Sequence, residues 1–267
     1  MNLRRVAAIV LRQYYLLRGS LARLLPLFVW VVIDITLWGF MSKYLDTVAP
    51  SGINFVPALL GAVLLWDFLI RVMQGVSMAF LEDVWARNFL NIFATPLRIT
   101  EYLAGLVLTS VATSAVGLLV MLVLASAVFG LSLFAYGLPL AAFLLVLFLF
   151  GIALGVVGVS VVLRFGPAAE WFVWPIPAFV SPFAGVFYPV AALPVWMQWV
   201  ARLVPVSYVF EGVRASAAGG AASWDALGRG LALAVAYLLA SCWFFARVHR
   251  RVLRTGLIAR YSAESVG

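Results

Sequence analysis

The fold is decided by a charge-free stretch, Tyr102–Leu163, which is 62 residues long and reads YLAGLVLTSVATSAVGLLVMLVLASAVFGLSLFAYGLPLAAFLLVLFLFGIALGVVGVSVVL. A membrane-spanning helix needs about 20 predominantly apolar residues, so this stretch is too long for one span and long enough for two. Glycine and proline residues within Gly130–Pro139 indicate a turn in its middle. The sequence therefore predicts two transmembrane helices, at 102–130 and 138–163, joined by a hairpin.

The composition of the whole chain extends this conclusion to all 267 residues. Apolar residues make up 66% and charged residues 10%, against roughly 45–50% and about 25% in ordinary globular domains. Water could not solvate such a surface, so we expect one all-α integral membrane domain over residues 1–267. The single cysteine, Cys242, and the single histidine, His249, exclude an internal disulfide and metal sites rich in either residue.

Apolar segments elsewhere predict four more spans, which makes six transmembrane helices in all. These spans lie at 24–45, 53–81, 168–189 and 227–247. We expect the third of them to be kinked, because proline interrupts helical hydrogen bonding. Its prolines are Pro175, Pro177, Pro182 and Pro189.

The placement of arginine predicts the orientation in the membrane. Five arginines precede the first span, and the turns expected outside, at 46–52 and 130–137, contain no lysine or arginine. The arginines at the end of the last span and after it are Arg247, Arg250, Arg251, Arg254 and Arg260. Cytoplasmic loops carry the excess of positive charge, so both termini are expected on the cytoplasmic side of the plasma (inner) membrane. The net charge of +8 is thereby explained without a nucleic-acid partner.

Residues 1–23 combine their five arginines with an apolar stripe at helical spacing. Arg12 interrupts any signal-peptide core, and no cleavage site of small residues precedes the next apolar run. The segment is therefore interpreted as an amphipathic helix that lies among the membrane lipids of the cytoplasmic interface.

Residues 82–100, between the second and third spans, form the first of two segments that are neither span nor plain loop. Aromatic and apolar side chains recur there at three- and four-residue steps, at Trp85, Phe89, Ile92 and Phe93. The pattern predicts a short amphipathic helix on the cytoplasmic face, ended at Thr95 because the residue before a proline avoids helical dihedrals. The alternative is a solvated turn resting on the lipid headgroups.

Residues 190–215, which follow the fifth predicted span, form the second such segment. Pro194 and Pro205 divide it, and an apolar stripe runs between them. Short helices that dip into the outer leaflet would satisfy their own backbone hydrogen bonds. The alternative is an extracellular loop that lies on the membrane surface.

Four polar side chains lie within the predicted first and second spans: Asp34, Asp67, Arg71 and Gln74. Each charge costs about 2.5–3.5 kcal/mol inside a membrane, so each needs a partner or a role. Asp67 and Arg71 are four residues apart on one helix face, and Asp34 is expected at the same depth as Arg71. We favour a structural role for this cluster, in which Arg71 bridges both carboxylates. The alternatives are a proton site and a part of the substrate translocation path.

At the two unusual segments the chain resembles the permease subunits of ABC-2 type ABC exporters. The cytoplasmic stretch Arg87–Arg98, RNFLNIFATPLR, is similar to the coupling helix of that family, which ends in Thr/Ser-Pro. The stretch Leu193–Arg214, LPVWMQWVARLVPVSYVFEGVR, is similar to the Leu-Pro, Pro-x-x-Tyr and terminal Arg pattern after the fifth span. The chain departs from the family at Asn88-Phe89 and Asn91, where Gly-Thr and then Glu are frequent.

The resemblance implies a role for both segments. A coupling helix contacts the ATPase subunit, and the residues expected to do so are Arg87, Asn88, Asn91, Thr95, Pro96 and Arg98. The outer segment is expected to form a re-entrant gate, with Pro194, Pro205, Tyr208, Glu211 and Arg214. The family moves drugs, lipids and lipid-linked glycans through a path between two permeases, so a homodimer is expected, with a pair of sister permeases as the alternative.

The chain itself carries no phosphate-binding loop, since the only lysine, Lys43, lies in Met-Ser-Lys-Tyr. ATP and magnesium are therefore expected in a separate nucleotide-binding subunit, with no catalytic residue, metal site or bound cofactor in this chain. The cargo is expected to be amphipathic or lipid-like. An ion-coupled secondary transporter is the alternative, although such proteins usually have more spans and helices broken at the midplane. An intramembrane lipid-modifying enzyme is a third possibility, which the lack of a His-, Asp- or Cys-rich constellation disfavours.

Overall fold

The computed structural model describes residues 1–48, 56–88, 91–92, 94–132, 137–220 and 223–255, with only the backbone at 22, 24, 26 and 27. These residues form helices and turns and no strand. In chain order the helices are α1 (Leu3–Arg18), α2 (Leu21–Val48), α3 (Gly61–Trp85), α4 (Ile99–Phe129), α5 (Pro139–Phe165), α6 (Ile176–Ala184), α7 (Val195–Ala201), α8 (Pro205–Ala217) and α9 (Trp224–Arg254). A short π-helix, Val56–Leu60, leads into α3, and short 3-10 helices occur at Pro167–Phe172 and Val190–Ala192.

Five helical stretches in the described part of the chain are long and apolar enough to cross a membrane. They are Phe28–Val48, Val56–Trp85, Ile99–Phe129, Pro139–Phe165 and Trp224–Arg254. Each coincides with a predicted span, and the two halves of the charge-free stretch form α4 and α5. The first residues of the second predicted span, 53–55, and part of the hairpin, 133–136, lie outside the described residues.

The predicted span at 168–189 is not a continuous helix. Its residues form a 3-10 turn, then the nine-residue helix α6, which ends at Gly185 with a φ of 70°. The prolines, expected to kink one helix, separate short pieces, none long enough to span alone. Near the start of this segment, Glu170 accepts a hydrogen bond from the Trp85 indole at the end of α3. Near its end, the Phe187 ring stacks on Trp38 of α2, with ring centroids 5.1 Å apart. The six-span layout therefore stays a prediction.

Close packing between α3 and α5 depends on glycines. A Cβ on Gly151 would lie 2.9 Å from Val72 Cβ, and a Cβ on Gly155 would lie 2.8 Å from the Met73 carbonyl oxygen. Backbones approach this closely in membrane bundles because lipid gives little hydrophobic driving force, and van der Waals contact must replace it. Phe150 of α5 in turn meets Tyr237 of α9, with ring centroids 5.4 Å apart.

The helices α3, α5 and α9 run in the same direction. Gly151 and then Gly158 of α5 meet α3 at Val72 and then near Ser77, so the two helices advance together. Helix α8 contacts the early part of α3 through Phe210 and Trp66, and the early part of α9 at Gly230. The ends of α3, α5 and α9 therefore lie on one side of the bundle.

The N-terminal segment forms helix α1, capped by the Asn2 side chain, which accepts from the Arg4 N–H. Val6 and Ile9 are buried, and Ile9 lies against Gly105 of α4. Part of the apolar stripe therefore faces the bundle. The placement of this helix in the membrane interface stays a prediction.

Candidate functional site

The end of the bundle where α3 ends and α4 begins holds a buried carboxylate, Asp83, which is 2% exposed. Both terminal guanidinium nitrogens of Arg12 bond to its two oxygens, and the Tyr102 hydroxyl donates to it at 2.6 Å. A buried charge is tolerated when it is paired and hydrogen-bonded. Asp83 therefore joins three helices, α1, α3 and α4.

A second buried carboxylate, Glu101, lies in the first turn of α4 and is 1% exposed. It accepts hydrogen bonds from the backbone N–H groups of Asn2 at 2.7 Å and Arg98 at 3.1 Å. Arg5 pairs with it at 3.4 Å. The bond to Arg98 satisfies a free N–H at the start of α4, and negative charge is favourable at that helix end.

Asp83 and Glu101 flank the segment that joins α3 to α4, and both are held by α1. We call these two carboxylates with Arg5, Arg12 and Tyr102 the α1 clamp. A third pair, Arg23 with Glu82 at 3.7 Å, is partly exposed. The clamp fixes both ends of the joining segment against one helix.

The α1 clamp was not predicted from the sequence. Asp83 was assigned to the short amphipathic helix predicted at 82–100, and the arginines of residues 1–23 were assigned to the membrane interface. One available signal was that Arg5 and Arg12 are seven residues apart, hence on one helix face. That face meets carboxylates at both ends of the 82–100 segment.

Helix α3 extends to Trp85, so the predicted coupling segment begins later than residue 82. The helix ends in a Schellman motif, in which the Asn88 N–H bonds to the Asp83 carbonyl and the Arg87 N–H to the Val84 carbonyl, both at 3.0 Å. The position that usually holds glycine is occupied by Arg87, with a φ of 53°. A left-handed conformation costs a non-glycine residue roughly 1–2 kcal/mol, so Arg87 is held there at a cost.

The segment after Arg87 is largely exposed. Asn91 and Ile92 are helical, the Asn91 amide bonds to the Asn88 side chain at 3.2 Å, and the Thr95 hydroxyl donates to the Ile92 carbonyl at 2.6 Å. Phe89 and Phe93 lie outside the described residues. The predicted contact residues with exposed side chains are Arg87, Asn91, Thr95, Pro96 and Arg98, and Asn88 is half-buried.

The predicted intramembrane cluster is present in part. Arg71 Nε bonds to Asp67 Oδ2 at 2.9 Å, with both side chains largely buried. A Cβ on Gly117 of α4 would lie 3.3 Å from Arg71 Cδ, so this glycine makes room for the arginine. Asp34 of α2 is half-buried and within electrostatic range of both, and Gln74 is half-buried one turn further along α3.

The predicted outer segment forms α7 and α8, which begin at the two prolines that divide it. Pro194 precedes α7, and Pro205 is the first residue of α8. Tyr208 bonds through its hydroxyl to the Arg202 carbonyl at 2.8 Å, so α8 is tied to the end of α7. This arrangement packs the two short helices together.

Glu211 and Arg214 of α8 hold the turn that follows α6. Glu211 accepts from the Val190 N–H at 2.7 Å, and Arg214 donates to the carbonyls of Gly185 and Tyr188. We call Glu211 and Arg214, with the backbone groups that they bond, the α8 clamp. Tyr208, Glu211 and Arg214 thus lie on one short helix, which holds the broken segment at the turn that follows α6.

These observations define a multi-pass helical membrane protein with two polar clamps and one largely buried ion pair inside a predicted span. The family model for the ABC-2 type transporter matches residues 8–217. The chain belongs to this family, and it is the permease subunit of an ABC transporter, a transport component. No curated protein matches the chain in a sequence comparison.

Proposed function

We propose that the chain is the permease of an ATP-driven exporter, which moves an amphipathic or lipid-like cargo outward across the plasma membrane. A separate nucleotide-binding subunit supplies ATP hydrolysis with its magnesium, and two copies of the permease form the path. The observation that carries the proposal is the segment 86–98, most of whose described residues are exposed and whose two ends are held by the buried carboxylates of the α1 clamp.

The geometry of the clamp suits the transmission of force. A docked ATPase subunit would contact the exposed polar side chains of Arg87, Asn91, Thr95 and Arg98. Because Asp83 and Glu101 fix the two ends of the segment to α1, a push on it would move the ends of α3 and α4 as one body rather than bend a loop. The unfavourable backbone conformation of Arg87 supports a functional role for its side chain, since such conformations cluster at functional sites.

In this proposal the segment 86–98 and both termini face the cytoplasm. Most arginines near the helix ends lie at the same end of the bundle, in α1, after Trp85 and at the end of α9. The broken 167–188 segment would then cross the membrane as a sixth, discontinuous span. It connects the level of Trp85 to that of Trp38, and the α8 clamp would hold its outer end as part of a gate.

The intramembrane pair is proposed to be structural. Asp67 and Arg71 neutralise each other within one helix, and Asp34 is the further charged residue of this cluster. An amphipathic cargo is consistent with this composition. Asp34 and Gln74, which are both half-buried, are the residues of this group that would border the path if the cluster had a second role.

The experiment is reconstitution of the permease with its ATPase subunit in lipid vesicles. We expect ATP-dependent efflux, and ATPase activity that rises several-fold with one member of a panel of drugs, lipids and lipid-linked glycans. Transport that continues without the ATPase subunit and follows an ion gradient would show a secondary transporter instead. A cargo effect on ATPase activity that vanishes in Arg87→Ala, with cargo binding intact, would identify the segment 86–98 as the coupling element.

A further inference from the structure

The last helix, α9, carries a stripe of exposed residues along its length. Val235, Leu239 and Trp243 are exposed, at 40%, 66% and 60%. The stripe then continues at helical spacing through exposed arginines, Arg247, Arg250 and Arg254. The opposite face, with Phe245, Val248 and Val252, is buried in the bundle. One continuous surface therefore changes from apolar to basic near Trp243.

The three arginines have no carboxylate partner within the part of the chain that the structure describes. The Arg247 guanidinium lies over the Trp243 ring, 5.5 Å from its centroid. Arg250 uses its Nε to bond the Ala246 carbonyl at 3.2 Å, which leaves its terminal nitrogens as donors. These groups are positioned by the helix and still have hydrogen-bonding capacity for an anion.

From the position of Trp243, the arginines are expected at the depth of the lipid phosphates. A tryptophan at the end of an apolar stripe lies at the level of the headgroups. Arg247 and Arg250 follow Trp243 by four and seven residues, or about 6 and 10 Å along the helix axis. Their side chains can turn back toward the membrane surface.

A further arginine lies at a similar level on the neighbouring helix. Phe150 and Tyr237 are in contact, and Arg164 and Arg251 each follow their partner in that contact by 14 residues along parallel helices. Arg164 is exposed at the end of α5. The nearby carboxylate after α5, Glu170, is bonded to the Trp85 indole. Arg164 forms no ion pair with a carboxylate among the described residues, so the ends of α5 and α9 present positive charge on the same side of the bundle.

We propose that Trp243, Arg247 and Arg250 form a binding site for the phosphate of an anionic phospholipid. Basic clusters at the cytoplasmic ends of transmembrane helices bind anionic headgroups through charge and hydrogen bonds. The site binds lipid rather than a protein partner because the arginines continue a stripe whose apolar part faces the acyl chains. The site is separate from the segment 86–98 and does not depend on the exporter mechanism.

The test is native mass spectrometry of the purified permease, titrated with phosphatidylglycerol or with phosphatidylcholine of the same acyl chains. We expect the wild type to retain phosphatidylglycerol, and the variant Arg247→Gln/Arg250→Gln to retain it about thirty-fold less, since each basic residue near an anionic surface contributes roughly a fivefold factor. The matched control is Arg4→Gln/Arg18→Gln, which removes two exposed charges from α1 at the same end of the bundle.

Equal loss in both double variants would overturn the proposal, because binding would then follow net charge alone. Equal retention of the two lipids by the wild type, or displacement of phosphatidylglycerol by soluble glycerol phosphate at similar concentration, would also overturn it. If Arg247→Gln/Arg250→Gln retained the lipid but no longer bound the ATPase subunit, the stripe would be a protein-docking surface. Thermal unfolding of each variant confirms that the comparison is between folded proteins.

Discussion

Arg12 and Asp83 are 71 residues apart in the sequence, yet the guanidinium group of one grips both carboxylate oxygens of the other. The carboxylate is 2% exposed and lies in the last turn of α3, next to the segment 86–98. The N-terminal helix is therefore an integral part of the bundle end through which an ATPase subunit would act. Loss of this contact is therefore expected to change both the stability of this end of the bundle and the position of the segment 86–98.

Replacing Arg12 by glutamine should destabilise the protein strongly, because it leaves Asp83 buried without a compensating charge. Breaking one side of a buried ion pair costs about 3–5 kcal/mol, so we expect a much lower melting temperature in detergent. Arg18→Gln, which removes an exposed charge from the same helix, is the control and should have little effect. The double variant Arg12→Gln/Asp83→Asn should regain part of the loss. If Arg12→Gln and Arg18→Gln have the same melting temperature, the α1 clamp does not contribute to the stability of the protein.

Two substitutions of Arg87 should differ in their effect on stability and agree in their effect on coupling to the ATPase subunit. Arg87→Gly relieves the left-handed backbone strain, whereas Arg87→Ala removes the same side chain and keeps the strain. We expect the glycine variant to be more stable than the alanine variant by about 1 kcal/mol, measured by chemical or thermal unfolding. In both variants, the rise of ATPase activity that the cargo causes should be mostly lost, because the Arg87 side chain is absent. Full stimulation in both variants would mean that Arg87 is not a contact residue.

Arg71→Ala should reduce folding and yield, since Asp67 would be left in the bundle without its partner. The measurement is the amount of monodisperse protein after solubilisation, compared with Gln74→Ala, a half-buried polar side chain one turn away. The variant Arg71→Ala/Asp67→Asn should recover part of the yield, because it removes the carboxylate that lost its partner. A well-expressed Arg71→Ala protein that had lost only transport would instead place the pair in the translocation path.

Gly155→Ala should destabilise the bundle, because the added Cβ would lie 2.8 Å from the Met73 carbonyl oxygen, part of a helix backbone that cannot yield locally. Overpacking of this kind costs typically 1–3 kcal/mol. The matched control is Gly228→Ala in α9, where nothing lies within 4 Å of the added carbon. That change should be neutral or stabilising, because alanine favours helix. Equal melting temperatures for the two variants would contradict the close packing of α3 on α5.

The five long helices could be predicted from sequence because the signal is local. A run of about 20 apolar residues reports a span whatever it packs against, and the turn at Gly130 is marked by glycine. The same holds for the breaks at Pro194 and Pro205, where proline starts a new helix. The pairing of Asp67 with Arg71 was also accessible, since four residues make one helical turn.

The remaining features depend on tertiary contacts. Whether prolines kink or divide the 168–189 segment is decided by the groups that satisfy the freed backbone, such as Arg214 at Gly185 and Tyr188. The contact of Arg12 with Asp83 joins distant parts of the chain. The spacing of Arg5 and Arg12 places both on one helix face but does not indicate which carboxylates they meet. The end of α3 escaped prediction because its left-handed position holds arginine instead of glycine, the residue that normally marks such an end.

The most direct test of the account is the sidedness of Asn91. In a Cys242→Ser background, which removes the only cysteine, Asn91→Cys can be labelled with a membrane-impermeant maleimide in sealed vesicles of either orientation. Thr47→Cys, at the exposed end of α2, serves as the control for the opposite side. We predict that Asn91→Cys is labelled only from the cytoplasmic side and is protected when the ATPase subunit is bound. Labelling from the external side, or labelling unchanged by the bound ATPase subunit, would contradict the account.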